Sequence, residues 1–193
     1  MVMTFDGRGT GYRGDKDMHL VYKKLGQYEP LDQIEAARQI SKFDYIDEQN
    51  VAIWGRSYGG YATARTIEED VNGIYKCGFS VAPVTDWMFY STHYTEKFMT
   101  LPTDNENGYA KASAIQNLDN IRSHYFVLVH GTADENVHIQ NNAHLSKALI
   151  SQNIDFINYF AADEWHGFNH YPNGYAHHYK LLTHHLQTCF SLL

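Results

Sequence analysis

The sequence has no apolar run approaching the roughly 18 residues that a bilayer-spanning helix needs, so no transmembrane helix is expected within it. It does not open with a basic stretch followed by an apolar one, so no signal peptide is expected either. Positive charge is in deficit: 15 Lys and Arg stand against 22 Asp and Glu, a net charge of -7. Neutralising phosphates needs a basic face, so nucleic acid is excluded as a general partner. Cysteine is scarce. Cys77 and Cys189 lack the paired spacing of a zinc site. They read equally well as two buried thiols or as one disulfide closing a long loop, and the redox compartment decides between these. No N-x-S/T sequon occurs, so glycosylation gives no support for secretion. What remains is globular: 44% hydrophobic and 19% charged over 193 residues, enough for one domain, or a piece of one, with a real core. Tyrosine and histidine are abundant, at 15 and 12, which hints at aromatic pockets.

Short apolar runs alternate with helical spacing. Val2 to Phe5, Val51 to Trp54, Phe79 to Ala82, Phe126 to His130 and Phe156 to Phe160 read as strands. Gly7 to Gly14 reads as a loop, and Thr100 to Gly108 as a polar surface loop. Asp32 and Glu35 stand at capping-box spacing before Ile34, Ala37 and Ile40, which predicts a helix start there. A helix is expected after Gly59 up to about Glu69, and another over Ile139 to Ile150. Tyr175, Tyr179, Leu182, Leu186 and Phe190 recur every three or four residues and predict a closing amphipathic helix. Continuously apolar strands alternating with helices imply a parallel sheet covered on both faces, an α/β fold.

Gly55-Arg56-Ser57-Tyr58-Gly59 matches G-x-S-x-G. About one chain in fifteen of this length would match by chance, so context must decide. Here the motif directly follows an apolar strand and precedes a helical stretch. That strand-turn-helix forces a serine onto a strained turn, with helix N–H groups behind it for a developing oxyanion. The competing reading is a serine that merely caps the helix. A serine hydroxyl needs a base, and the base needs an orienting acid. The order Ser, Asp, His is met by Ser57, Asp134 in His130-Gly131-Thr132-Ala133-Asp134, and His166 in Trp165-His166-Gly167-Phe168. Both later loops follow strands, where sites of α/β sheets form. His177-His178 and His184-His185 lack a carboxylate companion at metal-ligand spacing and read as a solvated helix face, so no metal is expected. Gly7-x-Gly9-x-Gly11 lacks the last glycine of a nucleotide loop, and no cofactor is expected.

Six stretches resemble the catalytic α/β-hydrolase domain of the dipeptidyl peptidase IV-like enzymes in the prolyl oligopeptidase clan. They are FDGRGTGYRGDK (Phe5 to Lys16), DQIEAARQ (Asp32 to Gln39), AIWGRSYGGY (Ala52 to Tyr61), KCGFSVAPV (Lys76 to Val84), HGTADENVH (His130 to His138) and CFSL (Cys189 to Leu192). The resemblance spans nearly the whole chain and implies a serine exopeptidase that removes N-terminal X-Pro or X-Ala dipeptides through an acyl-enzyme. It implies Ser57, Asp134 and His166 as the triad. Tyr58 would give its N–H to the oxyanion hole and line the proline pocket with Val84, Trp87, Tyr90, Tyr94 and Val137. Asn136 would contact substrate. Read from spacing alone, Trp87, Tyr90 and Tyr94 are one face of a core helix. The resemblance further implies a Cys77–Cys189 disulfide, an extracellular or cell-surface parent protein (a secreted form or one with a membrane anchor), peptide partners, and a homodimer formed through the hydrolase domain.

Three departures from the family pattern qualify this. Arg56 stands where the family usually has Trp before the serine. Residues 1–193 resemble a partial domain whose first strands are missing, including one whose tyrosine hydroxyl completes the oxyanion hole. The family's β-propeller, whose glutamate pair holds the substrate amine, has no counterpart in the chain. The expectation is therefore weak or no peptidase activity for 193 isolated residues, since one lost oxyanion donor costs about 10² to 10³ in turnover. Unpaired strand edges would also lower solubility. The alternatives are a catalytically silent binding homologue, or a carboxylesterase of the same fold.

Overall fold

The computed structural model describes residues 1–192. Strands β1 (Ala52–Arg56), β2 (Cys77–Val81), β3 (Tyr125–Gly131) and β4 (Ile157–Ala161) lie in that order in one sheet, and each neighbouring pair is parallel. Helices α1 (Asp15–Met18), α2 (Glu29–Ile40), α3 (Tyr58–Glu69), α4 (Thr92–Met99), α5 (Glu106–Ala112), α6 (Leu118–Ile121), α7 (Gln140–Ser151) and α8 (Gly174–Cys189) surround it. Parallel neighbours need a crossover, and α3 and α7 each fill one. Among the described residues no helix is long and apolar enough to cross a membrane.

Alternation along β3 divides the core. Phe126 and Leu128 pack with Tyr61, Ala64 and Ile67 of α3 and with Leu145 and Leu149 of α7. Val127 and Val129 pack with Phe79 and Val81 of β2 and with Leu182 and Cys189 of α8. The sheet is thus covered on both faces, as the apolar runs imply. A disulfide joins Cys77, at the start of β2, to Cys189, at the end of α8, with Cα atoms 6.5 Å apart across a separation of 112 residues.

Four expectations are corrected. Val2 to Phe5 forms no strand, and Val2 is 89% exposed. A strand exists only against a hydrogen-bonding neighbour, and among the described residues β1 pairs with β2 alone. Asp32 caps nothing: α2 already starts at Glu29, with Pro30 in its first turn. Its carboxylate instead accepts from Arg8, from Nη2 at 2.5 Å and from Nε at 3.0 Å. Thr100 to Gly108 is not simply a loop. It holds a 3-10 turn (Pro102–Asp104) and the start of α5, because the Asn105 amide donates to the carbonyls of Met99 and Lys23 and Tyr109 packs inward. Finally, the buried side of α8 carries His178, Leu182 and Cys189, while Tyr175 and Tyr179 face outward. Tyr179 lies edge-on to the half-exposed Trp54 of β1, with ring centroids 5.9 Å apart.

Candidate active site

Ser57 stands between β1 and α3 at φ 61° and ψ -120°. A side chain at positive φ is strained, and such strain persists only where the surroundings impose it. The surroundings here are two close backbone approaches. A Cβ on Gly55 would lie 2.4 Å from the backbone of Gly59, and one on Gly60 would lie 2.4 Å from the Val81 carbonyl oxygen. At Gly59 a Cβ would meet nothing, so the second tight approach belongs to Gly60 and not to the last glycine of the motif. Ser57 N–H donates to the Val81 carbonyl at 2.9 Å, pinning the turn to the end of β2. The serine side chain makes no capping bond to α3, which removes the helix-cap reading. Tyr58, the first helical residue, carries an N–H for which the helix has no acceptor.

Asp134 and His166 lie in the loops after β3 and β4. Those loops are tied together: Thr132 N–H donates to the Ala161 carbonyl at 2.9 Å, and Asp163 N–H to Thr132 Oγ1 at 2.8 Å. Asp134 is buried and His166 half-buried. His166 Nδ1 lies 2.8 Å from Asp134 Oδ2, and His166 N–H donates to Glu135 Oε2 at 3.0 Å. The other carboxylate oxygen, Oδ1, accepts from the N–H groups of Asn136 at 3.0 Å and Val137 at 2.8 Å. His130 Nε2 adds a contact at 3.3 Å and also reaches the Val137 carbonyl at 2.7 Å. Burial disfavours the charge on Asp134, but the bonds from His130 and His166 outweigh it and hold its pKa far below the usual carboxylate range. A carboxylate beside Nδ1 favours the imidazole tautomer that carries its proton on that nitrogen. Among the described residues no hydrogen bond joins His166 Nε2 to Ser57 Oγ; the bonded pair is His166 and Asp134.

Beside the serine lies an aromatic cluster. Trp87 is fully buried. It stacks on Tyr94 at 5.8 Å and meets Tyr90 and Tyr61 edge-on at 6.0 and 5.1 Å. Tyr58 packs against Tyr61 at 5.5 Å and Trp87 at 5.7 Å. These residues do not share one helix. Trp87 is in a 3-10 turn (Trp87–Phe89), Tyr90 ends it, and Tyr94 is in α4. Val84 and Val137 are buried, so they back the cluster, while Tyr58, Tyr90 and Tyr94 provide its reachable surface. Tyr90 donates to Asn136 Oδ1 at 2.8 Å, joining the cluster to the Asp134 loop.

Sequence reasoning gave no role to His130, Glu135 or Glu29. Two of them lie inside the matched stretch around Asp134, which was the available signal. Glu29 carries none, because its contact with Tyr58 spans 29 residues. The histidine pairs of α8 do not act as one solvated face. His177 and His185 bond Tyr159 and Tyr125, each at 2.9 Å. His178 is buried and stacks on Phe168 at 4.2 Å. Arg56 reaches from the start of the Ser57 turn towards the Gly167 carbonyl at 3.5 Å.

Comparisons with known proteins follow the same lines. A model of the prolyl oligopeptidase family matches residues 1–192. The chain is similar to dipeptidyl peptidase 4 of Bos taurus, 45% identical over 195 residues, which covers all of this chain and 25% of that protein. It is 43% identical to prolyl endopeptidase FAP of Homo sapiens, again over all of this chain and 25% of the relative. The crystal structure of Porphyromonas gingivalis dipeptidyl peptidase 4 superposes with a TM-score of 0.87 at 39% identity, covering 96% of this chain and 26% of that one. The chain spans about a quarter of the length of these relatives.

Proposed function

The chain belongs to the prolyl oligopeptidase family, and from that premise we propose that it carries the catalytic centre of a serine peptidase that removes X-Pro or X-Ala dipeptides from peptide N-termini. The supporting observation is the 2.8 Å contact of His166 Nδ1 with a buried, charged Asp134 on the strand-end rim that also bears the strained Ser57 turn. A relative named dipeptidyl peptidase 4 supports release of dipeptides, and one named prolyl endopeptidase FAP supports peptide bonds beside proline as the target.

The chemistry runs through these groups. Ser57 Oγ attacks the scissile carbonyl carbon while His166 Nε2 takes its proton. The oxyanion that forms faces the Tyr58 N–H at the start of α3. His166 gives the proton to the leaving amine as the C–N bond breaks, leaving an acyl-enzyme. A water, deprotonated by His166, then releases the dipeptide and restores Ser57. Asp134 fixes the imidazole tautomer and stabilises the imidazolium. The rings of Tyr58, Tyr90 and Tyr94 around Trp87 offer an apolar aromatic surface that would form the recess for proline or alanine, and Asn136, bonded to Tyr90 beside it, would contact the peptide. The disulfide supports an oxidising compartment for the intact protein.

A fluorophosphonate probe tests this reading in the intact protein. Labelling that vanishes in Ser57→Ala and turnover of a Gly-Pro anilide are the expected results. A folded protein that takes no label is instead a binding homologue, a second reading motivated by Arg56 and the unbonded Ser57 Oγ. Turnover of simple acyl esters alone makes the protein an esterase.

A further inference from the structure

Tyr58 joins two parts of the proposed site, since its N–H faces the oxyanion and its ring forms a wall of the proline recess. The ring is fixed on one side by immobile neighbours. Tyr61 donates to the carbonyls of Leu25 and Ala112 at 3.1 and 2.7 Å, and Trp87 is fully buried. Among the described residues the far end of the ring is held by one polar contact, from the Tyr58 hydroxyl to Glu29 Oε1 at 2.5 Å. Glu29 is itself anchored. Its Oε1 accepts from Gly26 N–H and its Oε2 from Tyr28 N–H, each at 3.2 Å. As the first residue of α2 it sits at the helix end that favours a negative charge. Burial, and then the carboxylate itself, push the Tyr58 phenol far above its ordinary pKa. The phenol therefore stays a donor, and the contact has one direction.

We propose that Glu29 is a positioning residue that locks the Tyr58 ring and so sets the width of the recess for a five-membered ring. This deepens the peptidase reading and rests on its assignment of the recess to proline. Glu29 touches neither Ser57 nor His166 by any hydrogen bond among the described residues, so its effect falls on ring recognition and not on the nucleophile. Loss of the carboxylate frees the ring to turn into the recess or away from it. Either motion weakens the fit to a pyrrolidine while the serine stays reactive.

The test measures binding of alanyl-pyrrolidide by calorimetry in the intact protein carrying Ser57→Ala, so that binding is read without chemistry. Glu29→Ala is expected to weaken binding about 10-fold, and Tyr58→Phe by a similar factor. Glu29→Gln, which keeps an acceptor oxygen, is expected to restore most of the affinity. The double variant Glu29→Ala/Tyr58→Phe should bind no more weakly than either single one, because both remove one contact. Full affinity in Glu29→Ala, additive losses in the double variant, or no binding of the pyrrolidide at all would overturn the proposal. Should Glu29→Ala not fold, equal affinities of Glu29→Gln and Tyr58→Phe overturn it. Fluorophosphonate labelling of Ser57 in the parent protein is read separately. A protein that binds the pyrrolidide through Glu29 but takes no label loses the peptidase reading and keeps this one.

Discussion

At the residue scale, the site depends on which atoms carry protons. Asp134 accepts from His166 and His130 and from two backbone N–H groups, so its charge survives burial. Asp134→Asn keeps the shape but lets the amide donate to Nδ1, which moves the imidazole proton to Nε2 and removes the base. Turnover of a Gly-Pro anilide is expected to fall about 10⁴-fold, and the thermal midpoint to fall as well, because the neutral amide loses the charge-assisted bonds that Asp134 accepts. Because Asp134 is held far below the usual carboxylate range, it adds no proton to the acidic limb of the rate profile, which is expected to show one proton. A limb needing two protons would place the Asp134 titration there as well and contradict the geometry.

At the scale of elements, the Ser57 turn exists because β1, α3 and β2 meet without side chains between them. A methyl at Gly60 would lie 2.4 Å from the Val81 carbonyl, so α3 would have to move off β2. Gly60→Ala is expected to lower stability by about 2 kcal/mol, measured by urea unfolding, and to slow fluorophosphonate labelling through the displaced serine. The same change at Gly59, where a Cβ meets nothing, should cost far less. The disulfide is the other such joint. It fastens the end of α8 to the start of β2, and the 112-residue separation makes its entropic contribution about 4 to 5 kcal/mol. Cys77→Ser is expected to lose most of that in denaturant titration. Mass measured with and without reductant reports the pairing directly.

For the whole molecule, stability should depend on pH from two buried groups with opposite signs. Burial, reinforced by the nearby Arg56, pushes the His178 pKa down from 6.5 to about 4. The unfolded chain therefore binds the extra proton between these values, and stability falls as pH drops through them. Burial, opposed by Arg65, pushes Glu68 up from 4.5 to about 8. Here the folded state holds the extra proton, so stability falls as pH rises from about 4.5 to about 8. The two slopes oppose each other up to about pH 6.5, above which only the Glu68 decline remains. Thermal melts of Glu68→Gln should lose the decline between about 6.5 and 8. Melts of His178→Phe should lose the acid-side rise between about 4 and 6.5. Unchanged slopes in both variants would refute these assignments. The sequence by itself determined the parallel α/β architecture, because continuous apolar runs separated by helical spacing have few other ways to bury themselves. It also determined the identity of the serine turn, because G-x-S-x-G after a strand and before a helix leaves the backbone little choice. The order of Ser57, Asp134 and His166 along the chain pointed to the loops that bear them. Only the tertiary structure decided that Val2 to Phe5 is no strand, since pairing depends on a neighbour and not on composition. Only it decided that Asp32 answers Arg8, that His178 is buried while Tyr179 is not, and that Glu29 holds Tyr58. Each of these is a contact between segments that local spacing leaves independent, so nothing short of the packed chain could set it.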